Sequence, residues 1–241
     1  TFVCSSFYYL RFLADQSTPE KLRNAKSEEQ NKEEIRDSSF AIRHSSLIDA
    51  TIERKWLPVS MYIGGPEHAT MHLIYARFVM MALKDFGIVS HSEPFQKLMH
   101  QGLITNKGAK MSKSKGNVVS PDEYVAQYGS DVFRMFLMFM GPFSDGGDWS
   151  DTGIKGIDRF VQRLHRGITE HSIKKVDQSI PQLEGLIHIT IKKVTESIES
   201  FQFNTALSAL MECLNGIEEK GEAGCGQLMI MIRLLAPLAP H

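Results

Sequence analysis

Tyr62-Ile63-Gly64-Gly65-Pro66-Glu67-His68-Ala69-Thr70-Met71-His72 carries the first fold signal. Pro58 to Ile63 has the composition of a short strand, and Gly64-Gly65 ends it. Pro66 then opens a helix with Glu67 in its first turn. Apolar residues recur at helical spacing through Leu73, Ala76, Val79, Met80 and Leu83, and Gly87 stops the helix. A strand, a glycine turn and a helix N-terminus make a βα unit, whose turn faces the ligand crevice in open α/β sheets. The fold class is therefore α/β. Downstream, Glu93 to Met99 reads as helical and Gly102-Leu103-Ile104 as a strand. Upstream, Phe2 to Leu13 is rich in aromatic and β-branched residues and reads as a strand running into a turn or short helix. Parallel strands are expected near Val3, at Val59–Ile63 and at Leu103–Ile104, covered by a helix from Glu67 to Phe86.

His68 and His72 are four residues apart, which puts them on one helical face. Three readings compete for them. A zinc pair lacks a third ligand, and Glu67 precedes both histidines instead of lying between them. Ordinary core hydrogen bonding is the plain structural alternative. The third reading is the polar wall of a small-molecule pocket, where glycine backbone approaches a flat ligand and a carboxylate accepts from hydroxyls.

Lys110-Met111-Ser112-Lys113-Ser114 runs into Lys115-Gly116-Asn117. Each ammonium is a compact point charge with three donors, the serines add hydroxyls, and Gly116 lets backbone come close. That chemistry suits a polyphosphate; a solvated surface run is the competing reading. Ser120-Pro121-Asp122-Glu123 follows as a helix start, with Ser120 at the N-cap and Glu123 closing a capping box.

The formal net charge of −1 gives no global footprint for nucleic acid, so any RNA contact must be local. No apolar run reaches the about 20 residues of a membrane span. Cys4, Cys213 and Cys225 are widely spaced, which argues against a zinc site or disulfide framework and fits a reducing cytosol. Lys, Glu, Asn and Gln dominate from Gln16 to about Lys55, which reads as a charged surface insertion. After Gly141-Pro142 the texture turns helical. Gly146 to Trp149 is a break and Ser150 a cap; Ile154, Ile157, Phe160, Val161 and Leu164 form one stripe. Leu183 to Phe201 is a long helix, Asn204 caps another, Glu222 to Gly226 is a loop, and Gln227 opens a last helix. A helical bundle without strands beyond residue 160 is expected.

Lys110 to Gly129 resembles the signature loop and following helix of class I aminoacyl-tRNA synthetases. Tyr62 to His72 is similar to the Gly-Gly-x-Glu-His stretch of the leucyl-tRNA synthetase family, bacterial type, and Phe2 to Phe12 resembles its Phe-Val-Cys-Ser-Ser-Trp-Tyr-Tyr strand, with Phe7 in the Trp position. The resemblance implies a ligase that activates leucine with ATP, accompanied by Mg2+ as its counter-ion, and transfers it to tRNA(Leu). It implies Lys113 and Lys110 as catalytic, and Gly64, Gly65, Glu67, Met111, Ser112 and Ser114 around ATP. Ser5, Tyr8, Tyr62, His68 and His72 would form the leucine pocket, with no metal or zinc in this segment. Residues 1–141 would be the second half of a Rossmann-like nucleotide-binding domain, with the charged insertion at about 16–55. Residues 142–241 would begin an anticodon-binding helical domain. A cytoplasmic, monomeric parent is implied.

Three departures from the family stand out. Gln16 to Lys55 is longer than the usual connection, and only Asn106-Lys107-Gly108-Ala109 precedes the lysine loop, where many bacterial members insert a domain. The His-Ile-Gly-His signature and the editing domain do not occur. The chain is thus expected to be a fragment, inactive alone and helped in solubility by its N-terminal counterpart. The Glu67-His68 and His72 pattern favours leucine over valine, isoleucine or methionine. A non-catalytic tRNA-binding paralogue is the alternative from another class.

Overall fold

The computed structural model describes residues 2–13, 48–169 and 173–241. Most of the charged stretch that begins at Gln16 lies outside them. The chain divides into two compact units, Thr1–Gln101 and Gly102–His241.

The first unit opens with α1 (Phe2–Arg11), a helix where the composition predicts a strand. Ser6, Tyr9, Leu10 and Leu13 are buried while Ser5, Tyr8 and Phe12 are exposed, a three-to-four spacing and not an alternation. Aromatic and β-branched residues favour strands only where a pleated neighbour awaits them. Here the neighbour is helix α3 (His72–Asp85), against which α1 packs, and the Tyr9 hydroxyl donates to the Ala76 carbonyl at 3.4 Å.

The last part of the charged stretch holds a helix. Helix α2 (Ala50–Trp56) is capped by Asp49, whose carboxylate accepts from the Thr51 amide at 2.7 Å. Glu53 within it is only 2% exposed. A buried carboxylate needs partners, and the Ser90 amide, the Ser90 hydroxyl and His91 Nδ1 supply them at 2.7–3.0 Å.

Strand β1 (Tyr62–Gly64) pairs in parallel with β2 (Leu98–His100), Tyr62 opposite Leu98. It begins later than predicted, because Val59 makes only an isolated bridge to Phe95. A 3₁₀ turn over Pro66–Thr70 and then α3 join the two strands, and Gly87 at φ 70° ends the helix as its spacing foretold. The segment expected to be helical, Glu93 to Met99, instead holds the Phe95 bridge and the start of β2. Its backbone is drawn into the ladder, with Val59 N–H donating to the Pro94 carbonyl and Gln96 N–H to the Val59 carbonyl.

The second unit is built on β3 (Leu103–Asn106), which pairs antiparallel with β4 (Ala109–Lys110) and parallel with β5 (Gly146–Asp148). The stretch read as a break is therefore a strand. A Cβ at Gly102 would sit 1.9 Å from the Gly146 nitrogen, so β5 approaches β3 in a way only glycine permits. Helices α4 (Pro121–Tyr128), α5 (Ser130–Phe139), α6 (Gly153–Thr169), α7 (Pro181–Glu199), α8 (Phe203–Lys220) and α9 (Cys225–Leu235) follow. The α6 stripe is as predicted: Ile154, Ile157, Phe160 and Leu164 are buried with Met135, Leu210, Leu214 and Met231 in one core, and Val161 packs half-buried against it.

The bundle does contain strands beyond residue 160. β6 (Lys174–Val176) and β7 (Glu222–Gly224) pair in parallel, since Gly221 at φ 72° ends α8 and turns the chain toward β6. The two polar caps also differ from expectation. Ser120 stands at the N-cap of α4 without a side-chain cap bond, its hydroxyl donating to Asp122 at 3.3 Å. Asn204 lies inside α8, whose N-cap is Gln202.

Candidate functional site

In the first unit, Ser5, Tyr8, Tyr62, His68 and His72 line one cavity of 510 Å³, joined by Gly64 and Gly65. That volume lies within the range of small-molecule sites, about 300–1,000 Å³. Three elements position these groups. α1 turns Ser5 and Tyr8 away from its buried face, β1 supplies Tyr62 and Gly64, the turn after it supplies His68 with Gly65 at its N-cap, and the start of α3 supplies His72. The Tyr62 ring stacks on Phe95 at 4.2 Å and lies 5.5 Å from His72, whose ring is 6.3 Å from Tyr8. Burial, then a hydrogen bond with Tyr8, pushes the Tyr62 hydroxyl up to about 12.

The helical face expected for the two histidines is broken. His68 belongs to the 3₁₀ turn and His72 opens α3, with Met71 between them at φ −121°, ψ −93°. Their rings still come within 6.4 Å at an angle of 82°. His72 Nε2 is buried and has no hydrogen-bond partner among the described residues, which argues against the plain structural reading of this side chain. Burial, and secondarily His68, lowers the His72 pKa, so the imidazole is neutral near pH 7. Glu67 is exposed and does not line the cavity; a Cβ at Gly65 would lie 2.6 Å from its Oε2. The exposed carboxylate thus lies against the Gly65 backbone, although as a flexible side-chain tip it could swing aside. No group of three His, Cys, Asp or Glu that could hold a metal occurs among the described residues.

In the second unit, Lys110 ends β4 and Lys113 to Lys115 form a 3₁₀ turn closed by Gly116 at φ 63°. Lys110, Lys113, Ser114 and Lys115 are exposed, and Met111 and Ser112 half-buried. Lys110, Lys113 and Lys115 make no ion pair among the described residues. Three ammonium groups without an ion pair among the described residues make one short loop locally cationic despite the chain's near-neutral charge. The loop is organised by Asn117, which sequence reading did not single out. Its Oδ1 accepts from the Ser112 amide at 2.9 Å and its Nδ2 donates to the Lys110 carbonyl at 3.3 Å. Asn106 in turn donates to the Asn117 carbonyl at 3.0 Å. Asn117 stands just past the lysines, and an amide side chain after a left-handed glycine is the signal that would have found it. Ile63, Met71 and Gln101 also line the first unit's cavity and were missed, having no chemistry that separates them from core or surface.

A family model described as tRNA synthetases class I (I, L, M and V) matches residues 14–149. The chain belongs to this class I tRNA synthetase family. Among its relatives, the leucine–tRNA ligase of Clostridium perfringens (strain SM101 / Type A) is 42% identical over all of this chain and 28% of the relative. That of Bdellovibrio bacteriovorus is 47% identical over 78% of this chain and 24% of the relative. A crystal structure of the ternary complex of Agrobacterium radiobacter K84 agnB2 LeuRS, tRNA and LeuAMS superposes with a TM-score of 0.77 at 32% identity, over all of this chain and 30% of that one. This synthetase chain thus spans 28% of the length of the Clostridium relative.

Proposed function

We propose that the chain is part of a leucine–tRNA ligase, an enzyme that activates leucine with ATP and transfers it to tRNA(Leu). Residues 1–141 are then the second half of a Rossmann-like nucleotide-binding domain, and 142–241 the start of an anticodon-binding helical domain. The parallel β1–α3–β2 unit supports the first assignment and the helices α6 to α9 the second, while α5 packs into the same core as those helices and the compact units divide at Gln101. The parent is taken to work as a cytoplasmic monomer. One observation carries the reading. The residues that the resemblance assigns to leucine, Ser5, Tyr8, Tyr62, His68 and His72, line a single cavity although 67 positions separate the first from the last.

In this reading Tyr8, Tyr62 and the histidines bound the amino acid, and the neutral His72 Nε2 meets a polar group of the substrate. Gly64, Gly65 and Glu67 face the adenosine: glycine backbone admits the flat base and the carboxylate accepts from ribose hydroxyls. ATP enters with Mg2+ as its counter-ion. Met111, Ser112 and Ser114 shape the loop around the phosphates. Lys113, with Lys110, offsets the charge that develops on them as the leucine carboxylate attacks the α-phosphate and pyrophosphate leaves. Catalysis is positioning and electrostatic stabilisation, with no covalent bond to the protein. ATP–pyrophosphate exchange by the full-length protein, run separately with leucine, isoleucine, valine and methionine, tests this. Exchange dependent on leucine is expected; exchange with one of the others in its place would reject the leucine assignment.

A further inference from the structure

Asn106 and Ala109 face each other across a two-residue turn in which Lys107 has φ 55° and Gly108 φ 72°. Two left-handed residues make the tight hairpin turn that matches strand twist, but a lysine adopts that conformation only when held. Asp148 holds it. Its Oδ1 accepts from the Gly108 amide at 2.9 Å and from the Thr105 hydroxyl at 2.6 Å, so one carboxylate oxygen ties β5 to the turn across β3. Those same two donors keep its pKa below the usual carboxylate range, the Thr105 hydroxyl first. β5 is itself anchored at its end. The Trp149 amide donates to the Thr105 carbonyl at 2.8 Å, and its ring packs edge-on against Tyr124 at 4.9 Å and Phe136 at 5.2 Å.

β4 leaves this turn and ends at Lys110, the first lysine of the phosphate loop. Beyond the β3–β5 ladder, which holds β3, the turn that leads into the loop is tied to β5 by this exposed side chain. We propose that Asp148 is a positioning residue for the lysine loop, holding the β3–β4 hairpin at the angle from which Lys110 and Lys113 reach the ATP phosphates. The inference rests on the reading of that loop as the phosphate site. Asp148 touches neither the lysines nor the cavity of the first unit, so its effect is confined to the ATP side of the reaction.

The test uses the full-length protein with Asp148→Ala, which removes both bonds, and Asp148→Asn, whose amide oxygen can still accept them. Leucine-dependent ATP–pyrophosphate exchange gives the KM for ATP and for leucine, and hydrogen exchange follows the Gly108 amide. In Asp148→Ala, loss of a charge-assisted bond should raise the KM for ATP about tenfold and speed Gly108 exchange by a similar factor. The KM for leucine and the melting temperature should stay at the parent's values. Asp148→Asn should restore both readouts to within about threefold of the parent. An unchanged KM for ATP in Asp148→Ala would overturn the proposal, as would equal rises in both KM values or an unprotected Gly108 amide in the parent. If the parent shows no leucine-dependent exchange, the functional reading fails separately. Gly108 protection and its loss in Asp148→Ala then decide the hairpin clamp alone.

Discussion

Two side chains make the functional reading quantitative at the scale of single residues. Lys113 is exposed and unpaired among the described residues, so its charge is available to a ligand and not spent on a neighbour. Removing it should leave leucine binding intact and lower the rate of adenylation, because phosphate charge grows only toward the transition state. Pre-steady-state rates on Lys113→Ala in the full-length protein should fall about a hundredfold, the scale seen when one donor to a developing oxyanion is lost. Lys110→Ala should lower them less. His72 makes a pH statement. Burial lowers its pKa in the folded state, so its contribution is complete above the unfolded value of about 6.5 and is lost as pH falls through the depressed folded value. NMR titration should find this imidazole changing state below the ordinary histidine range, and thermal melts should weaken on acidification more in the parent than in His72→Asn.

Secondary-structure elements show which parts of the fold were legible in the sequence. α3 and α6 were readable because their apolar residues repeat at helical spacing over several turns and both bury that face. The lysine loop and the Gly64-Gly65 turn were readable because their residue types have few other uses. The helix α1 was not, since Phe, Tyr and Val promise a strand and only the contact with α3 decides otherwise. β5, β6 and β7 were not, because three-residue strands reading Gly-Gly-Asp, Lys-Lys-Val and Glu-Ala-Gly exist by virtue of their partners. Of the site, the cavity residues were legible through the resemblance and Asn117 could have been found from its place after Gly116, whereas Asp148 acts by hydrogen bonds that no local pattern encodes. At Gly102 the partner is close enough to make a sharp test. Gly102→Ala would drive a methyl into the backbone of Asp145 and Gly146, which cannot yield as a side-chain tip does. The second unit should lose about 3 kcal/mol or more by chemical denaturation, while Gly108→Ala, which meets no atom within 4 Å but sits at positive φ, should cost only about 1 kcal/mol.

The whole molecule holds two separate pieces of chemistry, a cavity in Thr1–Gln101 and a cationic loop in Gly102–His241. Each unit has its own core, one around Tyr9, Leu57 and Met80, the other around Met135, Leu210 and Met231. In the proposed reading both pieces serve leucine activation. Transplantation tests it most directly. Residues 1–241 would replace the matching stretch of the Clostridium perfringens leucine–tRNA ligase, to which they are 42% identical over their full length. The chimera should retain leucine-dependent ATP–pyrophosphate exchange and lose it on Lys113→Ala. A chimera that folds, as judged by circular dichroism and a cooperative melt, yet shows no leucine-dependent exchange would contradict the account.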